Sequence, residues 1–217
     1  MESKLILASG SPRRRELLNR AGVSFTVRVS AAEENYTAEE PSEIVRELSR
    51  KKAEAVAEEI LKERAACPES EDRQTACIVL GADTVVAVDG RILGKPADDR
   101  EAREMIRSIE GRAHEVYTGV HMIRIAPEAS GCVRLSDCET RNFSECTLVH
   151  VVPLTAQEIR DYVACGESLD KAGAYAIQGA FGKYIDRFEG DYENVIGLPV
   201  TRVLRELRSL SEEEEDE

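Results

Sequence analysis

The sequence predicts an α/β fold, and three observations carry that prediction. Leu5-Ile6-Leu7-Ala8 is a short apolar run followed at once by a helix-start signal. Residues 42–64 place apolar side chains at helical spacing. Residues 78–88 form a longer apolar run that ends in an Asp-Gly turn. Strand and helix signals therefore alternate, as in a sheet flanked by helices. The 217 residues suffice for one domain with a sizeable core. Residues 1–210 are read as that domain and residues 211–217 as a disordered acidic tail.

Each element has a local cause. Residues 5–8 read as a buried strand. Ser11 suits the N-cap of the next helix, and Pro12 suits its first position, where no N–H is needed. Leu17 and Leu18 give that helix an apolar face, and Gly22 suits its C′ position. Residues 25–30 alternate like a strand. Ser42 can cap a long helix to about Arg64, with Ile44, Val45, Leu48, Val56 and Ile60 on one stripe. Lys52 falls on that stripe, four residues from both Leu48 and Val56, so it should reach a cleft edge or a partner.

Residues 65–76 read as a loop, and 78–88 as a buried strand interrupted by Gly81 and Asp83. Asp89-Gly90 is a hairpin signal. Asp98 or Asp99 can cap a helix to about Ile109. Residues 116–125 and 143–152 read as strands, with a loop or hairpin tip at 126–140. Thr155 and Glu158 form a capping box for a helix to about Val163. Residues 196–200 give a short element and 201–210 a last helix.

Charge and composition remove several function classes. The net charge is −13, and the six residues from Glu212 onward are all acidic. An acidic body without Trp is a poor partner for a nucleic-acid backbone, although a local basic cluster can still dominate a cleft. The six cysteines form no Cys-x-x-Cys pair, so free thiols in a reducing, cytoplasmic compartment are expected. The first apolar run is too short for a signal-peptide core or a membrane span, and no membrane partner is expected. The chain has no Walker A motif, no Gly-x-Gly-x-x-Gly and no nucleophile elbow.

The residues that can carry chemistry fall in six places. Ser9-Gly10-Ser11-Pro12-Arg13-Arg14 joins a strand end to a helix start, where backbone N–H groups and the helix dipole attract anions. Three arginines in that first turn oppose the dipole, which argues for a bound anion as much as for a solvated basic face. Asp83 lies inside an apolar run, where a carboxylate needs a partner, a metal or an opening in the sheet. Thr84 beside it can orient a ligand group. Lys95, between Gly94 and Pro96, can meet a phosphate or be an ordinary turn lysine.

Glu33 and Glu34 are either solvated or, at a strand end, ligands for Mg²⁺ or Mn²⁺. Gln178, in the stretch from Asp170 to Gly179, whose small residues let a ligand approach closely, can read a base edge with its amide. The three histidines lack spaced partners for zinc.

These segments, in this order, resemble the Maf family of nucleotide pyrophosphatases. The match continues through Gly111-Arg112-Ala113-His114-Glu115-Val116-Tyr117-Thr118-Gly119-Val120 and Asn194-Val195-Ile196-Gly197-Leu198-Pro199. The resemblance implies an elongated mixed α/β fold with two lobes around a central cleft. It implies hydrolysis of nucleoside triphosphates to monophosphate and pyrophosphate with a divalent cation, Mg²⁺ or Mn²⁺, whose ligands it leaves open, and it leaves room for a homodimer. On it, Asp83 is the proton acceptor, aided by Glu34 and Lys95. Ser9, Arg13, Arg14, Lys52, Thr84 and Gln178 are substrate-binding.

Arg13, Thr84 and Gln178 match the subgroup acting on dTTP and UTP, with CTP and modified pyrimidines as further candidates. Such activity cleanses nucleotide pools and is tied to cell-division arrest. The alternatives are a nucleotide-binding regulator of septation without turnover and a pyrophosphatase directed at purines or 7-methyl-GTP. Intact Asp83 and Lys95 speak against the first, and Gln178 against the second.

Overall fold

The structure, a computed structural model, describes residues 3–67, 71–127 and 134–212. Cys132, the centre of the 126–140 segment and residues 213–217 of the acidic tail lie outside these residues. A seven-stranded mixed sheet forms the centre. Its main path runs β2 (Phe25–Val27), β1 (Lys4–Leu7), β3 (Cys77–Val88), β5 (Ala113–Ile125), β6 (Glu139–Val151) and β7 (Ile185–Glu189). The short strand β4 (Arg91–Leu93) pairs with β3 off this path. β1 is parallel to β2 and β3, and the remaining pairs are antiparallel. The expected mixed α/β sheet with flanking helices is therefore present.

The helices follow the capping signals closely. α1 (Pro12–Arg20) has Ser11 at its N-cap and Pro12 at N1. Ser11 makes no side-chain cap bond; Ser9 Oγ accepts from the Ser11 N–H at 3.3 Å instead. Gly22 follows the helix at φ +71°, a conformation that an L side chain rarely adopts. α2 (Pro41–Ala66) begins one residue before the predicted cap. Glu40 is the N-cap because Pro41 takes N1, and Ser42 lies within the first turn. Asp98 caps α3 (Asp99–Ile109) by accepting from the Glu101 N–H at 2.8 Å. The Thr155–Glu158 capping box opens α4 (Ala156–Ala164) as its spacing predicts.

Two elements were not anticipated. β7 carries charges on both faces and leaves four of its five residues exposed, so it shows no alternation to read. α5 (Tyr192–Ile196) is one turn of helix ahead of the terminal α6 (Val200–Glu212), in a stretch where the sequence carries no helix signal. β2 stops at Val27, three residues short of the predicted end. The five cysteines among the described residues are free thiols. No described helix is long and apolar enough to cross a membrane.

α2 lies unusually close to the sheet, and two glycines allow it. A Cβ on Gly81 would stand 2.4 Å from the Ser49 carbonyl oxygen, and one on Gly119 would stand 2.1 Å from that of Val45. Neither separation is tolerable between a carbon and backbone. Glycine at these two positions therefore sets the depth at which α2 packs across β3 and β5. Ile44, Val45, Leu48, Ala53, Val56, Ala57 and Ile60 are the buried apolar residues of that helix face.

Candidate active site

The sheet has an opening, and the site is built there. β1 pairs with β3 only as far as Leu80, where the Ala8 N–H donates to the Leu80 carbonyl at 2.8 Å. β4 pairs with β3 only from Val86 onward. Residues 81–85 consequently have no strand partner on this side, while β5 covers the other. A cleft of about 750 Å³ lies over this gap. Ser9, Arg13, Arg14, Glu34, Lys52, Asp83, Thr84, Lys95 and Gln178 all line it. The structure thus brings every predicted site residue to one place. Glu33 is exposed, accepts from Asn35 Nδ2 at 2.9 Å and does not line the cleft.

Successive residues of a strand point to opposite faces, and β3 uses both. Asp83 shares the face of Gly81, toward α2. There Lys52 Nζ donates to Asp83 Oδ1 at 2.5 Å and to Glu34 Oε1 at 2.7 Å. The Lys52 and Asp83 side chains are 14% and 13% exposed, against 64% for Glu34. One ammonium therefore ties a sheltered carboxylate to an open one. The Lys52 hydrogen bond and charge hold the Glu34 carboxyl below its ordinary range, and the nearby Lys95 and Arg14 charges add to the effect. The expectation that Lys52, on the helix stripe, reaches a cleft edge or a partner is met by both acids at the cleft.

Thr84 faces the other way, toward α1 and α5. Arg14 is buried there and makes three hydrogen bonds. Its Nε donates to the Gly197 carbonyl at 2.8 Å, Nη1 to Ser9 Oγ at 3.0 Å and Nη2 to Thr84 Oγ1 at 3.0 Å. Burial lowers the Arg14 pKa, and the Asp83 charge opposes that effect. A guanidinium carries five N–H groups, so two remain beyond these bonds. Arg13 is half-buried and Arg15 exposed. Lys95 stands two residues beyond the last β3–β4 pair, Val86–Leu93, and its side chain joins the cleft rim. Gln178 is exposed on the opposite wall.

Asp170 and Lys171, from the stretch that carries Gln178, also line the cleft, as does Tyr36, which the sequence did not mark. Thr118 and Asn194 are fully buried behind Thr84 and bonded to each other. A polar residue in the apolar run of β5 was the available signal for Thr118.

The donor set bears on a metal. No group of three or more His, Cys, Asp or Glu side chains able to hold a metal ion occurs among the described residues. Asp83 and Glu34, joined through one ammonium, supply two hard oxygen donors at the cleft. Mg²⁺ sites at nucleotides commonly use one or two carboxylates completed by phosphate oxygens and water. The residues present fit that pattern.

Comparison with known proteins adds a separate line of support. A family profile described as Maf-like protein matches residues 4–210. The chain is 45% identical to the dTTP/UTP pyrophosphatase of Agathobacter rectalis, covering 96% of this chain and 98% of that protein. It is 44% identical to the dTTP/UTP pyrophosphatase of Bacillus thuringiensis, covering 96% of each. It is 46% identical to that of Bacillus mycoides, covering 94% of each. The Staphylococcus aureus Ham1 structure aligns with 69% of this chain and 72% of its own, at 14% identity and a TM-score of 0.37, a likeness too slight to carry an inference.

Proposed function

The chain belongs to the Maf family, and on that premise we propose that it hydrolyses nucleoside triphosphates, dTTP and UTP foremost, to monophosphate and pyrophosphate. CTP and modified pyrimidine nucleotides are further substrates on this reading, and the setting is the nucleotide pool of the cytoplasm. The observation that carries the reading is the Asp83–Lys52–Glu34 pairing across the cleft from Arg14. It sets acceptors for a water proton beside donors for phosphate.

Each residue then has a role. The two remaining N–H groups of Arg14, the Arg13 guanidinium and the Lys95 ammonium bind the phosphate oxygens. Lys52 holds Asp83 and Glu34 in fixed positions. A water between Asp83 and the α phosphorus loses its proton to Asp83 as its oxygen attacks. The bond from the α phosphorus to the bridging oxygen breaks, and pyrophosphate leaves with its charge met by Lys95 and Arg13. The work is positioning and electrostatics, as expected of phosphoryl chemistry. Asp83 and Glu34 would hold Mg²⁺ or Mn²⁺, which when bound supplies charge neutralisation at the phosphates. The Gln178 amide can both donate to and accept from the imide edge of thymine or uracil.

A nucleotide panel with Mg²⁺ or Mn²⁺, scored for monophosphate and pyrophosphate, tests the reading. Pyrophosphate release from dTTP and UTP is expected, and Asp83→Asn should lower it by about 10²–10⁴-fold without unfolding the chain. Tight binding without product would favour the regulator. Faster cleavage of 7-methyl-GTP or ITP would overturn the pyrimidine assignment.

A further inference from the structure

Behind the cleft, a line of buried hydroxyl and amide groups ends on Arg14, and its polarity is fixed by chemistry. A guanidinium only donates hydrogen bonds, and a carbonyl only accepts them. Arg14 Nη2 donates to Thr84 Oγ1 at 3.0 Å. The Thr84 and Thr118 hydroxyl oxygens are 2.9 Å apart. Thr118 Oγ1 donates to the Asn194 carbonyl at 3.0 Å. Since that bond uses the single Thr118 hydroxyl hydrogen, the hydrogen between the two threonines comes from Thr84. Thr84 is left with no hydrogen for a ligand, and one of its lone pairs already accepts from Arg14.

The far end is anchored as firmly. Asn194 Nδ2 donates to the Val116 carbonyl and to Thr147 Oγ1, each at 3.0 Å. Thr147 Oγ1 donates to the Asp191 carbonyl at 2.9 Å. Thr118, Thr147 and Asn194 are all fully buried. The same turn also reaches Arg14 directly, through the Gly197 carbonyl at 2.8 Å.

We propose that Thr118 and Asn194 are positioning residues for the reaction. Acting through Thr84, they fix the plane of the Arg14 guanidinium and aim its remaining N–H groups at the phosphates. Thr84 then acts by orienting Arg14, and its hydroxyl does not read the base. The inference rests on the proposed binding of a triphosphate at Arg14. Buried groups that lock the orientation of a contacting side chain commonly matter as much as the contact itself.

The test uses the full chain and its Thr118→Val and Thr118→Ser variants. Valine keeps the shape and removes the hydroxyl, whereas serine restores it. Each is assayed on every nucleotide that the wild type cleaves, and inorganic triphosphate, which has no base or ribose, is titrated by calorimetry. Thr118→Val is expected to lower kcat/KM about tenfold, by the same factor for each base, and to weaken inorganic triphosphate binding by a similar factor. Thr118→Ser is expected to return both to within about twofold of wild type.

Unequal losses across the bases, an unchanged triphosphate affinity, or a serine variant as impaired as the valine one overturns the proposal. A wild-type protein that fails to bind inorganic triphosphate overturns it too. Should Thr118→Val not fold, Thr84→Val cuts the same line at its next link and must show the same base-independent loss. Triphosphate binding without cleavage of any nucleotide would sink the hydrolase reading, while the calorimetric arm still tests the positioning.

Discussion

Replacing Lys52 by methionine removes the one ammonium that joins Asp83 to Glu34. With Nζ at 2.5 and 2.7 Å from the two acceptors, those oxygens are no more than about 5.2 Å apart, the two bonds laid end to end. Two bare charges at that distance repel by about 3 kcal/mol at an effective dielectric constant near 20. Glu34 is 64% exposed and can swing into water, so about 1 kcal/mol of that is realised. Asp83 is 13% exposed and cannot follow. Stripping the partner from such a sheltered carboxylate costs roughly 2 kcal/mol more, with Arg14 offsetting part of the loss.

A destabilisation of about 3 kcal/mol at pH 8 is therefore expected. It should depend on pH with a definite sign. In the variant, one proton on the carboxylate pair relieves the repulsion, so the native state binds protons more readily than the unfolded chain. Stability then falls as pH rises. Toward about pH 4 the native pair carries a proton, and the deficit should shrink below about 1 kcal/mol. Urea unfolding of wild type and Lys52→Met at pH 8, 6 and 5 measures it. A deficit equal at pH 8 and pH 5, or under about 1 kcal/mol at pH 8, would refute the reasoning.

Two further predictions concern the scaffold. Gly119→Ala places a methyl carbon 2.1 Å from the Val45 carbonyl oxygen, and neither backbone can yield without lifting α2. A loss of more than about 3 kcal/mol by urea unfolding, with a fall in kcat because Lys52 rides on α2, is expected, and near-normal stability would contradict the packing argument. Burial pushes the His114 and His121 pKa values from 6.5 to about 4. The unfolded chain takes up those protons near pH 6.5 and the native state only near pH 4, so stability is full above that window and lost as pH falls through it. Each histidine contributes roughly 3 kcal/mol to that loss, and the lowered carboxyl of Glu34 acts in the same direction. Unfolding free energies that stay flat between pH 7 and pH 4.5 would rule this out.

What the sequence disclosed depended on how local the cause was. α2, the Asp89-Gly90 hairpin and the Thr155–Glu158 box are written in neighbouring residues, and each was legible. Asp83 and Lys52 were legible for another reason, since each is a charge misplaced in an apolar pattern and must be answered by something. Thr118 carries a fainter mark, an uncharged polar residue in the β5 run, and Asn194 carries none. They are 76 residues apart in sequence and meet because α5 packs against β5, while the β3–β5 register sets Thr84 beside Thr118. β7 hid because an exposed edge strand need not alternate.

The arginines show where a finer reading was available. The segment from Ser9 to Arg14 reads as one anion site with Arg13 and Arg14 as equivalent ligands, yet a helix turns about 100° per residue and cannot present them alike. Leu17 and Leu18 lie three and four residues beyond Arg14, and both are buried. Arg14 must therefore share their inward face, whereas Arg13 and Arg15 are turned away from it. The fold answers by binding three of the Arg14 N–H groups to Gly197, Ser9 and Thr84. Burial still disfavours its charge, and its placement at a helix N-terminus opposes the helix dipole. An anion in the cleft relieves both penalties at once. The buried arginine is thus better suited to a phosphate than to water.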